Sequence, residues 1–86
     1  MTFTVEIRRS AVRDLEGLPV ERRVLVGKRI DALGQDPRPV GSVRIRGSDG
    51  FYRVRSGDYR ILYTIDDAER RVTIWYVRHR GIAYRR

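Results

Sequence analysis

The stretch YRVRSGDYRILY, residues 52–63, constrains the fold of this 86-residue chain more than any other. Tyr52 and Val54, followed by Tyr59, Ile61, Tyr63 and Ile65, recur with a period of two, while Arg53, Arg55, Arg60, Leu62 and Thr64 fill the alternate positions. That period belongs to strands with one face buried, and the Ser56-Gly57-Asp58 interruption marks a hairpin turn. With Ser56-Gly57 as a two-residue loop, Arg53 lies opposite Arg60 and Arg55 opposite Asp58; with Gly57-Asp58, Arg55 lies opposite Arg60. Either register sets Arg60 against another arginine, a pairing that destabilises a sheet by a fraction of a kcal/mol up to about 1 kcal/mol. Such local conflicts cluster at functional sites, and a cluster of guanidinium groups is suited to holding a phosphate among its members.

The rest of the chain supplies the partners for that hairpin. Phe3, Val5 and Ile7 alternate with Thr4, Glu6 and Arg8, which predicts an N-terminal strand. Ser10 offers a helix N-cap, and Ala11, Val12, Leu15 and Leu18 follow at helical spacing until Gly17 and Pro19. Pro19 suits the first turn of a second helix, in which Val20, Val24, Ile30 and Leu33 form an apolar stripe ending at Gly34. The two prolines of QDPRPVG make it a connector, after which VRIRG, FYRVR, DYRILYTI and RVTIWYVRHR read as extended segments. The expected fold is a single α+β domain spanning residues 1–86: an N-terminal strand, a helical hairpin, then a mostly antiparallel β-meander of three or more strands. The helices pack on one face of the sheet and leave the other available. Parity sends Tyr76 to the open face with Arg78 and Arg80, and Trp75, the sole tryptophan, to the core; a bulge before Arg78 would swap the two.

Composition narrows the function. The net charge of +8 accompanies a 41% hydrophobic fraction, so the chain folds rather than forming a disordered basic tail. Residues 1–42 hold eight basic and six acidic groups, a balance of +2, and residues 43–86 hold eleven and five, a balance of +6. Of the 19 basic residues only Lys28 is lysine, and the planar fork of arginine suits phosphate. There is no cysteine, which is compatible with a reducing compartment. No apolar run is long enough for a membrane span or a signal peptide, so a cytoplasmic location is expected.

Most catalytic chemistries find no support. His79 is the sole histidine, and the carboxylates are scattered apart from Asp66-Asp67 in a predicted turn, so no metal and no cofactor are expected. Ser10, Ser42, Ser48 and Ser56 lie in turn or capping contexts, and no carboxylate pair stands out for acid–base work. Cleavage of RNA by its own 2′-hydroxyl needs none of these. The substrate brings the nucleophile, and the protein has only to align it, stabilise charge on the phosphorane and move protons. Arginines suit the second task; Tyr84 or His79 suits the third.

The segments GSDGFYRVRSGDYRILYTIDD and VTIWYVRHRGIAYRR, with the strand–helix–helix–strands order, resemble the RelE family of bacterial toxin–antitoxin pairs, within the wider RelE/ParE superfamily. The resemblance implies a ribosome-dependent, metal-independent endoribonuclease that cuts messenger RNA. It assigns the family's two basic hairpin positions to Arg53 and Arg55, the arginine of the following strand to Arg60, the arginine after the last strand to Arg80 and the C-terminal tyrosine to Tyr84. Arg53 and Arg60 would stabilise the phosphate in the transition state, Arg80 would do the same or protonate the leaving oxygen, and Tyr84 is the candidate base. Well-known members often carry lysine where this chain has Arg53 and Arg55, and arginine is a poorer proton acceptor.

Arg44, Arg46, Tyr76, Arg78 and His79 are candidate RNA contacts, with Tyr76 stacking a base. The implied partners are the ribosome with its message and an acidic, RelB-like antitoxin forming a heteromeric complex. The antitoxin would cover the open face at Arg60 and Arg80 or displace the Tyr84 tail, with Val20 and Val24 on the helical hairpin as the other docking candidates. Two other functions share the pattern: DNA gyrase inhibition, as in ParE-like proteins, and non-catalytic nucleic-acid binding dominated by counterion release.

Overall fold

In a computed structural model, which describes residues 2–80, the elements run β1 (Thr4–Ile7), α1 (Arg9–Glu16), α2 (Val20–Leu33), β2 (Val43–Arg44), β3 (Phe51–Ser56), β4 (Tyr59–Asp66) and β5 (Arg71–His79). They form one five-stranded sheet in the order β1-β5-β4-β3-β2. The meander β3-β4-β5 is antiparallel, β2 adds antiparallel to β3, and β1 returns to pair with β5 in parallel. This is the anticipated α+β arrangement, with the segment VRIRG contributing only two strand residues.

In the hairpin Ser56 pairs with Tyr59 and Arg55 with Arg60, so Gly57-Asp58 is the two-residue loop. Gly57 has φ of 61°, a conformation that matches the twist of paired strands at this loop position and that glycine adopts without a Cβ penalty.

The apolar parity of the hairpin builds the core. Val54, Ile61 and Tyr63 are fully buried with Val72, Ile74 and Val77 of β5, and Tyr52, Tyr59 and Ile65 pack against them. Ala11 of α1 and Val26, Ile30 and Leu33 of α2 cover this face. The buried stripe of α2 is therefore Val26-Ile30-Leu33, at spacings of four and three. Val20 and Val24, expected in the stripe, are 65% and 51% exposed. The helix holds apolar residues on more than one side, and the sheet fixes which of them turns inward. At the end of α2 the chain comes close to β1: a Cβ on Gly34 would stand 3.1 Å from the Val5 side chain and 3.2 Å from the Phe3 carbonyl, and Phe3 N–H donates to the Gly34 carbonyl at 2.7 Å.

Ser10 is not an N-cap. Helix α1 begins two residues earlier, after Arg8, with no side-chain cap, and Pro19 similarly precedes α2 as its cap residue. Ser10 works across the structure instead. Strand β1 pairs with β5 only as far as Ile74, and beyond that the β5 edge meets α1. The Ser10 hydroxyl donates to the Trp75 carbonyl at 2.5 Å, and one turn on, Asp14 Oδ2 accepts the Val77 N–H at 2.9 Å. Two side chains at i and i+4 on one helix face thus satisfy the strand edge where pairing has ended.

Candidate nucleic-acid interface

The β4–β5 register shifts at one place. Leu62 pairs with Tyr76, but Tyr63 pairs with Ile74, leaving Trp75 as the extra residue of a β-bulge. Ile74 and Val77 both remain in the core, so Trp75 and Tyr76 leave together on the face opposite the helices. The indole Nε1 donates to Thr64 Oγ1 at 2.9 Å, and Thr64 alternates with buried Tyr63. The expectation that Trp75 enters the core is thereby corrected. The bulge re-aims it, and no residue type in RVTIWYVRHR marks a bulge in advance.

On this outer face the side chains stand in rows across the strands. Arg55 of β3, Arg60 of β4 and Arg78 of β5 occupy successive partner positions and form the first row. Neighbouring strands lie about 5 Å apart, so three guanidinium-bearing positions span about 10 Å. The second row is Val43, Arg53, Leu62 and Tyr76, and the third holds Phe51 and Thr64 beside Trp75. The like-charge pairing foreseen in the hairpin is present in the Arg55–Arg60 form and extends to a third arginine.

The members of the first row differ in exposure and restraint. Arg60, flanked on both sides, retains only 7% accessibility, whereas Arg55 is exposed and has its carbonyl tied to Arg29 Nε at 3.2 Å. Burial of Arg60 departs from the solvent-facing position that parity alone implied. Arg78 donates from Nε to Asp14 Oδ2 at 3.2 Å, and its guanidinium carbon lies 4.5 Å from the Tyr76 ring centroid. Asp14 was absent from the candidate residues. Its signal was its place one helical turn after Ser10, legible only once α1 is known to lie on the β5 edge.

The remaining candidates divide between the faces. Arg53 joins the arginine face, and Arg80 lies beside the hairpin turn, its N–H donating to the Asp58 carbonyl at 2.8 Å. Arg46 is exposed in the turn after β2. Arg44 pairs with Tyr52 and shares the helix-side parity, so it is not brought together with the row. His79 is likewise on the helix side, its ring edge-on to Tyr59 with centroids 5.4 Å apart, because it alternates with Arg78. Tyr84 lies outside the described residues.

The Asp66-Asp67 pair serves the turn. Asp66 accepts the Glu69 N–H at 3.0 Å, and Asp67 receives both Nη groups of Arg38 at 3.2 and 2.9 Å, which holds its carboxyl below the usual range. Arg38 also bonds the Tyr52 hydroxyl, Tyr52 stacks on Tyr63, and the Tyr63 hydroxyl donates to the Pro37 carbonyl. Among the described residues no group of three or more His, Cys, Asp or Glu could hold a metal ion, and no helix is long and apolar enough to cross a membrane.

The family model for the ParE toxin of the type II toxin–antitoxin system parDE matches residues 5–84. Toxin RelG of Mycobacterium tuberculosis is 38% identical over the whole of both chains, and toxin RelE of the same organism is 33% identical over 96% of this chain and 87% of its own. Among solved structures, the toxin–antitoxin complex RelBE2 from M. tuberculosis superimposes with a TM-score of 0.82 at 32% identity, covering 93% of this chain and 100% of that one. On these matches, and with two helices on a mixed five-stranded sheet, the chain belongs to the RelE/ParE superfamily of type II toxin–antitoxin toxins.

Proposed function

We propose that this toxin is a ribosome-dependent, metal-independent endoribonuclease that cleaves messenger RNA by attack of a 2′-hydroxyl on the adjacent phosphate. The observation that carries the reading is the row Arg55–Arg60–Arg78, three cationic positions side by side on adjacent strands, with Arg53 one row below. Like charges so placed cost stability in the free protein and are offset when an anion sits among them. The RelE and RelG names of the similar toxins support the same activity.

In the reaction the 2′-oxygen forms a bond to phosphorus as the bond to the 5′-oxygen breaks, leaving a 2′,3′-cyclic phosphate and a 5′-hydroxyl. Arg60 and Arg53 stabilise the charge gathered on the phosphorane oxygens. The low exposure of Arg60 strengthens that interaction, because less water screens it. Arg80, beside the hairpin turn, stabilises the same charge or supplies the proton to the leaving oxygen. Tyr84, which lies outside the described residues, takes the proton from the 2′-hydroxyl; a phenol ordinarily titrates near pH 10, and a cation brought close to a phenol favours its ionised form. Arg78, Arg46 and Tyr76 contact flanking RNA. The chain acts in the cytoplasm, restrained by an acidic RelB-like antitoxin. Exposed Val20 and Val24 give that partner an apolar foothold, and the arginine row gives it a charged one.

A second reading, inhibition of DNA gyrase, is favoured by the ParE description of the matching family model. Primer extension on translated messages after induction separates the two. The nuclease produces cuts inside codons that depend on translation, and Arg60→Ala abolishes them while ribosome binding persists. A gyrase inhibitor leaves messages intact and blocks supercoiling in a purified gyrase assay.

A further inference from the structure

The outer face carries more than arginines. Phe51 and Trp75 stand in the third row, their rings 5.9 Å apart and tilted at 53°, and both are half-buried. The indole is fixed at three points: its Nε1 by Thr64 Oγ1, its backbone carbonyl by the Ser10 hydroxyl, and one ring face by Arg8, whose guanidinium carbon lies 4.7 Å from the ring centroid. An ordinary strand would have sent this side chain into the core. The bulge brings it out, and bulges of this kind commonly re-aim side chains beside active sites. Tyr76, the adjacent residue, comes out with it and already lies under Arg78.

From this arrangement we infer that Trp75 and Phe51 form a nucleobase-stacking subsite, which takes an unpaired base of the RNA strand whose phosphate lies at the arginine row. The inference rests on the reading that this face meets RNA, and it adds a place and a ligand class to it. Phe51 and Arg55 are four residues apart on β3, about 14 Å along the strand, so the base belongs to a nucleotide removed from the cleaved phosphate. The surroundings favour nucleic acid as the occupant. The aromatic row is continuous through Arg53 and Tyr76 with the cationic row, and Arg8 beside the indole supplies a further positive group. Aromatic rings interleaved with arginine are the pattern by which single strands are held without reading sequence.

Trp75 is the sole tryptophan, so the intrinsic tryptophan emission of the full-length toxin reports this subsite alone. The test titrates the antitoxin-free toxin with a 2′-O-methyl octaribonucleotide, which cannot be cleaved, and with an abasic sugar-phosphate octamer of the same charge. The expected result is saturable quenching by the base-bearing octamer and little by the abasic one. Trp75→Leu weakens octamer binding, measured by anisotropy of a labelled octamer, by roughly 5- to 150-fold, the range for loss of one base–aromatic stack. Trp75→Phe retains most of the binding, and circular dichroism confirms that both variants fold. Equal quenching by both octamers, no quenching, or undiminished binding by a folded Trp75→Leu variant would overturn the subsite. So would quenching by an acidic antitoxin peptide with none by the octamer, which would make the patch a protein-docking surface. If quenching is base-dependent while messages stay uncut on ribosomes, the subsite stands and the nuclease reading fails.

Discussion

Asp14 accepts a hydrogen bond from Arg78 Nε at 3.2 Å with the same Oδ2 that takes the Val77 N–H at 2.9 Å. One carboxylate on α1 therefore closes the exposed edge of β5 and restrains an arginine of the cationic row. Asp14→Ala leaves the part-buried Val77 N–H without its acceptor and should cost about 1–3 kcal/mol in urea denaturation. Asp14→Asn keeps an oxygen for that N–H and loses only the charge on Arg78. Its cost should be below about 1 kcal/mol, since the ion pair is partly solvated. Equal losses in the two variants would show that the charge, rather than the edge, is what Asp14 serves.

How far the sequence was legible follows from which physical signals are local. Alternation is local, so the core set Val54, Ile61 and Tyr63 and the outward arginines could be read directly. The choice between the two hairpin registers rests on one turn, which alternation does not decide, although both registers place an arginine against Arg60. The inward face of α2 was not local. Val20, Val24, Val26 and Ile30 allow more than one stripe, and only the sheet's position selects Val26-Ile30-Leu33. The bulge at Trp75 is likewise not local: a bulge before Arg78 is an alternative that would exchange Trp75 and Tyr76, whereas β5 keeps both Ile74 and Val77 in the core and turns the two aromatic residues outward together, where α1 takes over the strand edge from β1. Charge alone groups Arg44 and His79 with the arginines, whereas strand parity places them on the helix side.

Burial pushes the Tyr63 phenol up to about 12, and its hydroxyl donates to the Pro37 carbonyl at 2.7 Å. The neutral form is the one the fold accommodates. Its contribution is therefore fully present below the unfolded pKa near 10 and is lost as pH rises through the folded value. Stability should fall between pH 10 and 12 by about 2–3 kcal/mol from this group. Tyr63→Phe should cost about 1 kcal/mol at neutral pH through the lost hydrogen bond. The same variant should remove this share of the alkaline decline, visible as wild-type and variant stabilities that approach and then cross above pH 10, the variant becoming the more stable of the two. Parallel curves through that range would contradict the assignment.

Gly57 at φ of 61° sets the hairpin register that places Arg55 against Arg60. Gly57→Ala forces a Cβ into the left-handed region and should destabilise the protein by about 1 kcal/mol. A Cβ there has room, its nearest neighbour being the Arg22 guanidinium at 3.9 Å, so backbone strain and not collision is the cause. Thermal denaturation of the variant gives the measurement, and an unchanged midpoint would mean that the loop relaxes to another turn type.

The arrangement Arg55–Arg60–Arg78 makes a prediction in which stability and activity move in opposite directions. In the free toxin Arg55 faces Arg60 directly across the hairpin, so Arg55→Gln removes a like-charge contact while keeping a side chain of similar reach. The backbone carbonyl of residue 55 remains available to Arg29 Nε. Stability should rise by about 0.3–1 kcal/mol at low ionic strength. The gain should shrink as salt is added, because Arg55 is exposed and dissolved ions screen its repulsion with Arg60. Cleavage of translated message should fall, since the same substitution removes a cation from the phosphate's surroundings. Urea denaturation at low and high salt, paired with primer extension, measures both sides. If Arg55→Gln instead lowers stability at low salt, the arginines are not in net repulsion in the free protein, and their adjacency loses its force as a mark of an anion site.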